Sequence, residues 1–341
     1  KWRQYLPFAI YISPDSIDYG LVYRLIAPGY EVWSKMGIYE TCLSTAKQST
    51  ILDNKLMAPN CMNCHTFPQN NPHKMSLHIR GANGATALVQ NGSIEMLATK
   101  TDKMIGNAQY TYWHSSEKYI AFLTNKTQQG FHARDEKRVE VIDLESDVFV
   151  YDIVNNEMVS CPQLSSKESF ETFPSFSADG KTLFFCTAAA RPIPEEYNQI
   201  RYNLCSVSFD PVSRTFGNKV DTLVAAEAMG KSVSFPRPSY DGKYLMFTMS
   251  DYGNFSIWHK EADLWLVDLN TGISRSLTEV NSNDVESYHN WSSNSRWFVF
   301  SSRRIDGLYT RPFIANIDSN GKIGKPFLLP QKDPEEYIRS F

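Results

Sequence analysis

Two stretches of the chain share one pattern of residues. Pro-Ser-Phe-Ser-Ala-Asp-Gly-Lys occupies positions 174–181, and Pro-Arg-Pro-Ser-Tyr-Asp-Gly-Lys occupies positions 236–243. Looser copies occur at 112–118 and 290–296. Each copy precedes an apolar, aromatic-rich run, and Asp-Gly at such a place indicates a tight turn, because glycine adopts positive φ without steric cost. The pattern therefore predicts four strand–turn–strand units.

A second motif recurs once in each unit and indicates a further strand closed by a turn. Its clearest copies are at 147–156 and 263–272, with weaker versions at 203–210 and 311–318. Copies of the two motifs alternate at steps of roughly 50 to 60 residues, as expected for a repeat architecture. Recurrence in a fixed order favours radially repeated four-stranded blades, a β-propeller, over unrelated hairpins in a two-sheet sandwich.

Segments before the four units supply a further blade. Asn-Gly, a strong hairpin signal, separates the runs 85–90 and 93–99, and extended segments lie at 20–26 and 30–33. We therefore expect an all-β propeller of five four-stranded blades, within one either way, preceded by a loop-rich N-terminal segment. The expected divisions are 1–107 for the N-terminal strands, the site segment and the first blade, 108–330 for the four repeats, and 331–341 for a C-terminal tail.

Composition is that of a globular protein. The 341 residues are 42% hydrophobic, and 34 basic and 37 acidic residues give a net charge of -3, so the chain lacks the basic character expected of a nucleic-acid-binding protein. No apolar run approaches the roughly 18 residues that cross a bilayer. The chain begins at Lys1 rather than methionine, which is consistent with removal of an upstream leader or lipid anchor. Hydrolase elbows and nucleotide-binding loops are absent, so the sequence gives little support for an enzyme.

Cys61-Met62-Asn63-Cys64-His65 is the segment that carries chemistry. In c-type cytochromes the two thiols of such a motif form thioethers with haem, and the histidine binds the iron. A structural zinc site would need a second close pair of ligands, which the sequence lacks. A disulfide or a free dithiol stays open. The motif predicts covalent haem c at these two cysteines and this histidine, absent in protein made without the maturation machinery.

A six-coordinate haem needs a second ligand on the opposite side of the iron, and three candidates follow the motif. His78 ranks first because it lies in an extended apolar segment that would hold its ring, and Met75 ranks second. His73 is the third candidate. Arg80 is expected either to pair with a haem propionate or to lie on the surface. The alternatives are core packing for Met75 and a solvated loop for His73.

The longest insertion in each unit falls between paired strands, at 125–140, 188–202, 250–262 and 301–310. Equivalent loops of a propeller lie on one face, so these insertions predict a surface for a partner protein or a small anionic ligand or glycan, with merely solvated loops as the alternative. The side chains expected on that surface are His132, Arg134, Arg191, Tyr197, Trp258, His259, Arg303, Arg304 and Tyr309.

The repeat units resemble the Pro-x-Phe-Ser-x-Asp-Gly-Lys repeat of the TolB-type propeller family, over roughly residues 108–330. The first and last units depart from that pattern, since Ser116-Glu117 and Asn294-Ser295 replace Asp-Gly.

The N-terminal third looks like a group of Bacteroidetes TolB-like proteins, some of them labelled as cytochrome c biogenesis proteins. The segments that carry this likeness are 20–26, 33–39, 61–65 and 74–81. The resemblance implies an extracytoplasmic location, in the periplasm or cell envelope, and a haem. It favours a haem-bearing, electron-transfer or haem-linked envelope module. The alternative is a haem-free propeller scaffold that binds an envelope protein or a glycan.

Overall fold

The described part of the chain folds into antiparallel β-sheets, with no α-helix among those residues. The structure is a computed structural model, and it describes residues 6–7, 11–26, 36–57, 61–80, 84–102, 104–135, 137–333 and 335–336, without the side chains of Leu56, Met57 and Cys61. Most of the tail assigned to 331–341, and the extended segment predicted at 30–33, lie outside the described residues.

Six sheets follow one another along the chain, the first with three strands and the others with four. Sheets 1 to 3 contain β1 (Gly20–Leu25), β2 (Gly37–Cys42) and β3 (Lys47–Asp53); β4 (Cys61–Thr66), β5 (Lys74–Arg80), β6 (Ala85–Gln90) and β7 (Ser93–Leu97); β8 (Gln109–Trp113), β9 (Tyr119–Phe131), β10 (Val139–Asp152) and β11 (Glu157–Val159). Sheets 4 to 6 contain β12 (Ser169–Phe176), β13 (Thr182–Ala189), β14 (Asn203–Asp210) and β15 (Thr215–Val224); β16 (Ser232–Pro238), β17 (Tyr244–Ser250), β18 (Asp263–Asp268) and β19 (Ser274–Ser276); β20 (Glu286–Trp291), β21 (Trp297–Ser302), β22 (Arg311–Asn316) and β23 (Phe327–Leu328).

Apolar clusters join each sheet to the next. Five clusters connect consecutive sheets, from sheets 1 and 2 to sheets 5 and 6. A sixth joins the two ends of the chain, because Tyr23 and Leu25 of β1 pack with Ile314 of β22. Each sheet therefore buries both faces against neighbours, which is the main stabilising contribution available to strands of this kind. The described residues form a closed ring of sheets, which confirms the predicted all-β propeller.

The N-terminal third forms two sheets where the sequence indicated one blade. Residues 61–66 fall in the segment that the sequence predicts to be rich in loops, but they pair with 74–80 as β4 and β5. These strands complete sheet 2 together with the predicted hairpin at 85–97, and the chain before them forms sheet 1. Sheets 3 to 6 run from Gln109 to Leu328, within the range assigned to the four repeats.

The first strand of sheets 2 to 6 lies innermost, next to the axis of the ring. Each of these strands contains one residue with positive φ, between 48° and 54°, where the pairing register shifts. The five residues are Cys64, Tyr110, Phe173, Phe235 and Tyr288. The aromatic members meet on the axis, with ring centroids 4.2 Å apart for Phe173 and Phe235 and 4.5 Å apart for Phe235 and Tyr288.

The Asp-Gly turn of sheet 4 allows a matched test of backbone and packing effects. Gly180 and Gly272 both have φ of +73°, but a Cβ at Gly180 would lie 2.2 Å from Nε2 of buried His114, whereas one at Gly272 meets nothing within 4 Å. Gly272→Ala is expected to cost about 1–2 kcal/mol for the left-handed backbone alone. Gly180→Ala is expected to cost about 1–3 kcal/mol more, because His114 must move. Urea unfolding of both variants measures the difference, and equal losses would contradict the close contact.

Candidate functional site

The Cys-x-x-Cys-His segment is part of β4, the innermost strand of sheet 2. The backbone of Cys61 pairs with Arg80, and that of Asn63 pairs with His78. Met62, between them, is fully buried in the cluster that joins sheets 1 and 2. The segment is therefore extended because leaving the sheet would expose Met62 and unpair the backbone of two strands.

Cys64 occupies the position that aromatic residues occupy in the other innermost strands. It has φ of 52°, is partly exposed and carries a free thiol. Burial raises the pKa of this thiol, and a hydrogen bond with the Tyr110 backbone and the charges of Arg80 and Arg24 oppose that rise only in part. The thiol is therefore protonated at neutral pH and a poor nucleophile.

His65 faces sheet 1. Its Nε2 lies 3.4 Å from the backbone carbonyl oxygen of Val22 in β1, at the long end of hydrogen-bonding distance, and its ring makes an edge contact with Phe67. Burial lowers the pKa of His65 to about 4, with the contact to Val22 opposing the shift. The imidazole is therefore neutral at physiological pH.

His78 lies on the opposite face of sheet 2, toward sheet 3. Ser76, two residues earlier on the same face of β5, accepts a hydrogen bond of 3.1 Å from Nε1 of Trp113. His78 is 1% exposed, and neither ring nitrogen has a hydrogen-bond partner. Burial lowers its pKa to about 4. Met75 points the other way, into the cluster between sheets 1 and 2, so β5 places the two leading candidates for the distal ligand on different faces.

The strand conformation does not form a haem site. Three residues of strand separate Cys61 and Cys64 by about 10 Å, which is also too far for a disulfide. His65 and His78 are directed to opposite faces of the sheet, so they cannot bind the two sides of one iron in this arrangement. The side chain of Cys61 lies outside the described residues. Among the residues that are described, no group of three or more histidine, cysteine, aspartate or glutamate side chains is arranged to hold a metal ion.

The two remaining residues of the predicted haem segment lie at the surface. His73 is exposed in the turn before β5. Arg80 is exposed at the end of β5 and donates a hydrogen bond of 2.5 Å from Nη2 to Oε1 of Gln109 in β8. Arg80 therefore connects the axial ends of sheets 2 and 3.

The four long insertions gather on one face of the ring, which we call the long-loop face. They are the β9–β10 hairpin and the β13–β14, β17–β18 and β21–β22 loops. Tyr197 and Tyr252 of neighbouring loops make an edge contact with ring centroids 5.9 Å apart, and the amide of Gly253 donates to the carbonyl of Ile200 at 2.8 Å. The predicted grouping of these loops is thus present.

A buried network fixes the half of the β9–β10 hairpin next to its turn to the β17–β18 loop. His259 is 1% exposed, and its Nε2 lies 3.2 Å from a carboxylate oxygen of Glu140. The other oxygen of Glu140 accepts a hydrogen bond of 2.6 Å from Tyr252. Asp143, three residues further along β10, accepts hydrogen bonds from Asn125 and Asn254 at 2.7 and 2.5 Å. The hairpin is therefore held across the face of the ring by charged and polar contacts.

Some of the predicted surface residues support the loops through contacts with other side chains, and others are open to solvent. Arg303 is 5% exposed and stacks on Trp258, with the guanidinium carbon 3.1 Å from the ring centroid, while Arg304 pairs with Glu286 at 2.8 Å. These residues and His259 support the loops from within. Arg134 is exposed, and the partly exposed residues are His132, Arg191, Tyr197, Trp258, Arg304 and Tyr309.

Charge in the network depends on pH. Burial alone would lower the pKa of His259, but its contacts with Glu140 and Glu261 outweigh burial and raise that pKa above the ordinary value of 6.5. Burial also raises the pKa of Glu261, yet His259 and Lys137 reverse this and bring it to about 2. Burial raises the pKa of Asp143 to about 6. The two carboxylates thus keep His259 protonated to a higher pH than that at which a free imidazole loses its charge.

Removing His259 is expected to cost more stability at pH 5.5 than at pH 8.5. A group whose pKa is raised on folding stabilises the fold fully below its unfolded value, here 6.5, and loses that contribution as the pH rises through the folded pKa. Thermal unfolding of His259→Asn and of the native chain at both pH values measures the two losses. His132→Asn at the hairpin tip is the control. An equal loss at the two pH values would show that the charge of His259 does not hold the hairpin.

Sequence reasoning missed the aromatic residues of the axis and the acidic partners of His259. The axial aromatics had a signal, because Tyr110, Phe173, Phe235 and Tyr288 each lie one or two residues before a copy of the repeat motif, and Cys64 falls in register with them. For Glu140 and Asp143 the sequence has only a weak signal, the unusual length of the insertion at 125–140.

Several solved structures are similar to this chain at low sequence identity. Prolyl oligopeptidase B from Galerina marginata, bound to a 25mer macrocyclization substrate, is 11% identical with a TM-score of 0.49, over 93% of this chain and 44% of that chain. The tricorn protease is 10% identical with a TM-score of 0.47, over 91% of this chain and 30% of that chain. Oligogalacturonate lyase from Vibrio parahaemolyticus is 11% identical with a TM-score of 0.45, over 84% and 85%.

These similarities do not identify an activity. The chain spans less than half the length of the first two proteins, and all three identities are too low to carry function across. No family model and no curated protein matches the chain. Among the described residues, no helix has the length and apolar character needed to cross a membrane.

Proposed function

We propose that the chain is a binding propeller of the cell envelope that holds a partner protein against the tip of its β9–β10 hairpin. The observation that carries this proposal is the contrast between a buried network on β10 and the exposed turn directly beyond it. Glu140, which pairs with Gly130 one step before the last pair of the hairpin, and Asp143 are fixed as described above. The tip exposes 56% of Phe131, and Ala133, Arg134 and Asp135 of the turn are exposed. An aromatic and an arginine on a rigid support are the residue types that most often anchor a partner.

The extracytoplasmic location rests on the resemblance to envelope propellers of the TolB type. A scaffold of this kind needs no catalytic group, and the exposed loop tips vary independently of the ring beneath them. A glycan is the alternative occupant of the long-loop face.

Site-specific crosslinking tests the partner surface. A photoreactive phenylalanine analogue at Arg134 is expected to give one discrete protein adduct in envelopes of the source organism. The same analogue at Val212, which is 90% exposed in the β14–β15 turn on the opposite face, is the control and is expected to give none. Mass spectrometry identifies the adduct. Absence of an adduct at Arg134, or equal adducts at both positions, would refute a partner at the hairpin tip.

Covalent haem c at Cys61 and Cys64 is a second candidate feature of this envelope module, and one observation favours it. His78 is a buried neutral imidazole with two unpartnered nitrogens, and such orphaned groups call for an explanation such as an absent bound group. His65 is also neutral, the form that binds iron. This candidate requires residues 61–65 to adopt a conformation other than strand β4, since β4 itself does not fit the group.

A pyridine haemochrome spectrum decides whether haem is attached. Protein exported with c-type maturation machinery is expected to give the spectrum, and haem staining is expected to fall strongly in Cys61→Ala and Cys64→Ala, because each thiol supplies one thioether. His78→Ala is expected to alter the low-spin bands without loss of attachment. Undiminished staining in the double cysteine variant, or no haemochrome in the exported native chain, would remove haem from the proposal.

A further inference from the structure

The axial end of the ring has an apolar half and a polar half. Phe173 and Phe235 supply two of the aromatic rings that meet there. The other two, Tyr110 and Tyr288, carry hydroxyl groups and flank the position of Cys64, where the side chain is much smaller. The Tyr110 ring packs on Phe173 and the Tyr288 ring on Phe235, with ring centroids 5.0 and 4.5 Å apart. Polar donors are thus concentrated on the side of the axis next to sheets 1 and 2.

Two guanidinium groups face the same side. Nη1 of Arg24 in β1 donates to Oδ1 of Asn63, and Nη2 of Arg24 lies 3.4 Å from the sulfur of Met36. Arg80 donates to Gln109. Asn63, the partner of Arg24, directly precedes Cys64, and Gln109, the partner of Arg80, directly precedes Tyr110, so both guanidinium groups lie near this point of the axis.

No carboxylate balances these charges in the part of the chain that the structure describes. Arg24 and Arg80 bond only to amide oxygens and a thioether, and neither takes part in a salt bridge among the described residues. Arg237, deeper on the axis, donates to the carbonyl of Pro236 and stacks on Tyr112. The Nε of Arg24 is buried without any hydrogen-bond partner. Arg24 is half-buried and Arg80 is exposed, so a charged ligand can reach both guanidinium groups, and the buried Nε of Arg24 lacks the partner that buried polar groups normally have.

We propose that the axial end beside Cys64 binds a carboxylate group between the guanidinium groups of Arg24 and Arg80. The planar fork of arginine matches a carboxylate with two parallel hydrogen bonds. The hydroxyls of Tyr110 and Tyr288 supply neutral donors to the same group, and the unpartnered Nε of Arg24 gains an acceptor. The Cys64 side chain is smaller than the aromatic side chains at this position in the other sheets, so it leaves space for the carboxylate. This function of the position needs no covalent chemistry at Cys64.

Thermal shift titrations with acetate, glucuronate and neutral glucose, at constant ionic strength, test the site. Acetate or glucuronate is expected to raise the melting temperature saturably, because a ligand that binds only the folded chain stabilises it by mass action, and glucose is expected to have no effect. A response to glucuronate alone would assign the carboxylate to a sugar acid, and equal responses would assign recognition to the carboxylate itself. Sulfate in place of the carboxylates tests whether any anion suffices.

Two variants and a control separate this site from general charge effects. Arg24→Gln and Arg80→Gln are each expected to weaken binding about tenfold to a hundredfold, the loss of a charge-assisted hydrogen bond. Arg275→Gln removes an exposed arginine that pairs with Glu279 and is expected to titrate like the native chain. Without ligand, Arg80→Gln is expected to be at least as stable as the native chain, since an unbalanced charge is removed.

Titration of the arginine variants like the native chain, or a response to sulfate but to neither carboxylate, would overturn the proposal. A melting temperature of ligand-free Arg80→Gln well below the native value would assign Arg80 a structural role instead. The site lies on the axis and not at the hairpin tip, so its failure would leave the crosslinking result at Arg134 intact.

Discussion

The left-handed residue in each innermost strand is the constraint on which the centre of the ring depends. A single positive φ breaks the pairing ladder and turns one side chain toward the axis, where a regular strand would alternate its side chains between the two neighbouring sheets. Four sheets use this position for an aromatic ring, and sheet 2 uses it for Cys64. The chemistry at the axis is therefore decided by five residues that are far apart in sequence.

The repeated sheets could be predicted from the sequence because their signals are local. Asp179-Gly180 and Asp241-Gly242 mark tight turns, and the apolar runs beside them have the period of strands. The N-terminal sheets were harder to recognise. Residues 61–65 match a haem-attachment motif. The same segment also has the alternation of buried and paired residues that makes it a strand, so one stretch of sequence supports two different predictions.

The candidate sites could be predicted only in part. Grouping of the long loops follows from the fold, so it was available from the repeat alone. The sequence does not show whether a loop residue supports its own loop or is available to a partner. That depends on neighbours such as Glu140 and Trp258, which lie in other sheets. For the same reason, the sequence around Arg24 of β1 and around Arg80 of β5 gives no signal that the two side chains lie near each other on the axis.

Closure of the ring by Tyr23, Leu25 and Ile314 has a kinetic consequence. The contact spans nearly the whole chain, and contacts of such long range form late and slowly. Sheets 2 to 5 have their neighbours beside them as the chain is made, whereas sheet 1 cannot complete its packing until the last sheet exists. During that interval sheet 1, which covers Met62 of β4, is itself not fixed in place, so residues 61–65 gain their final burial late. The order in which the ring closes thus sets when this segment becomes inaccessible.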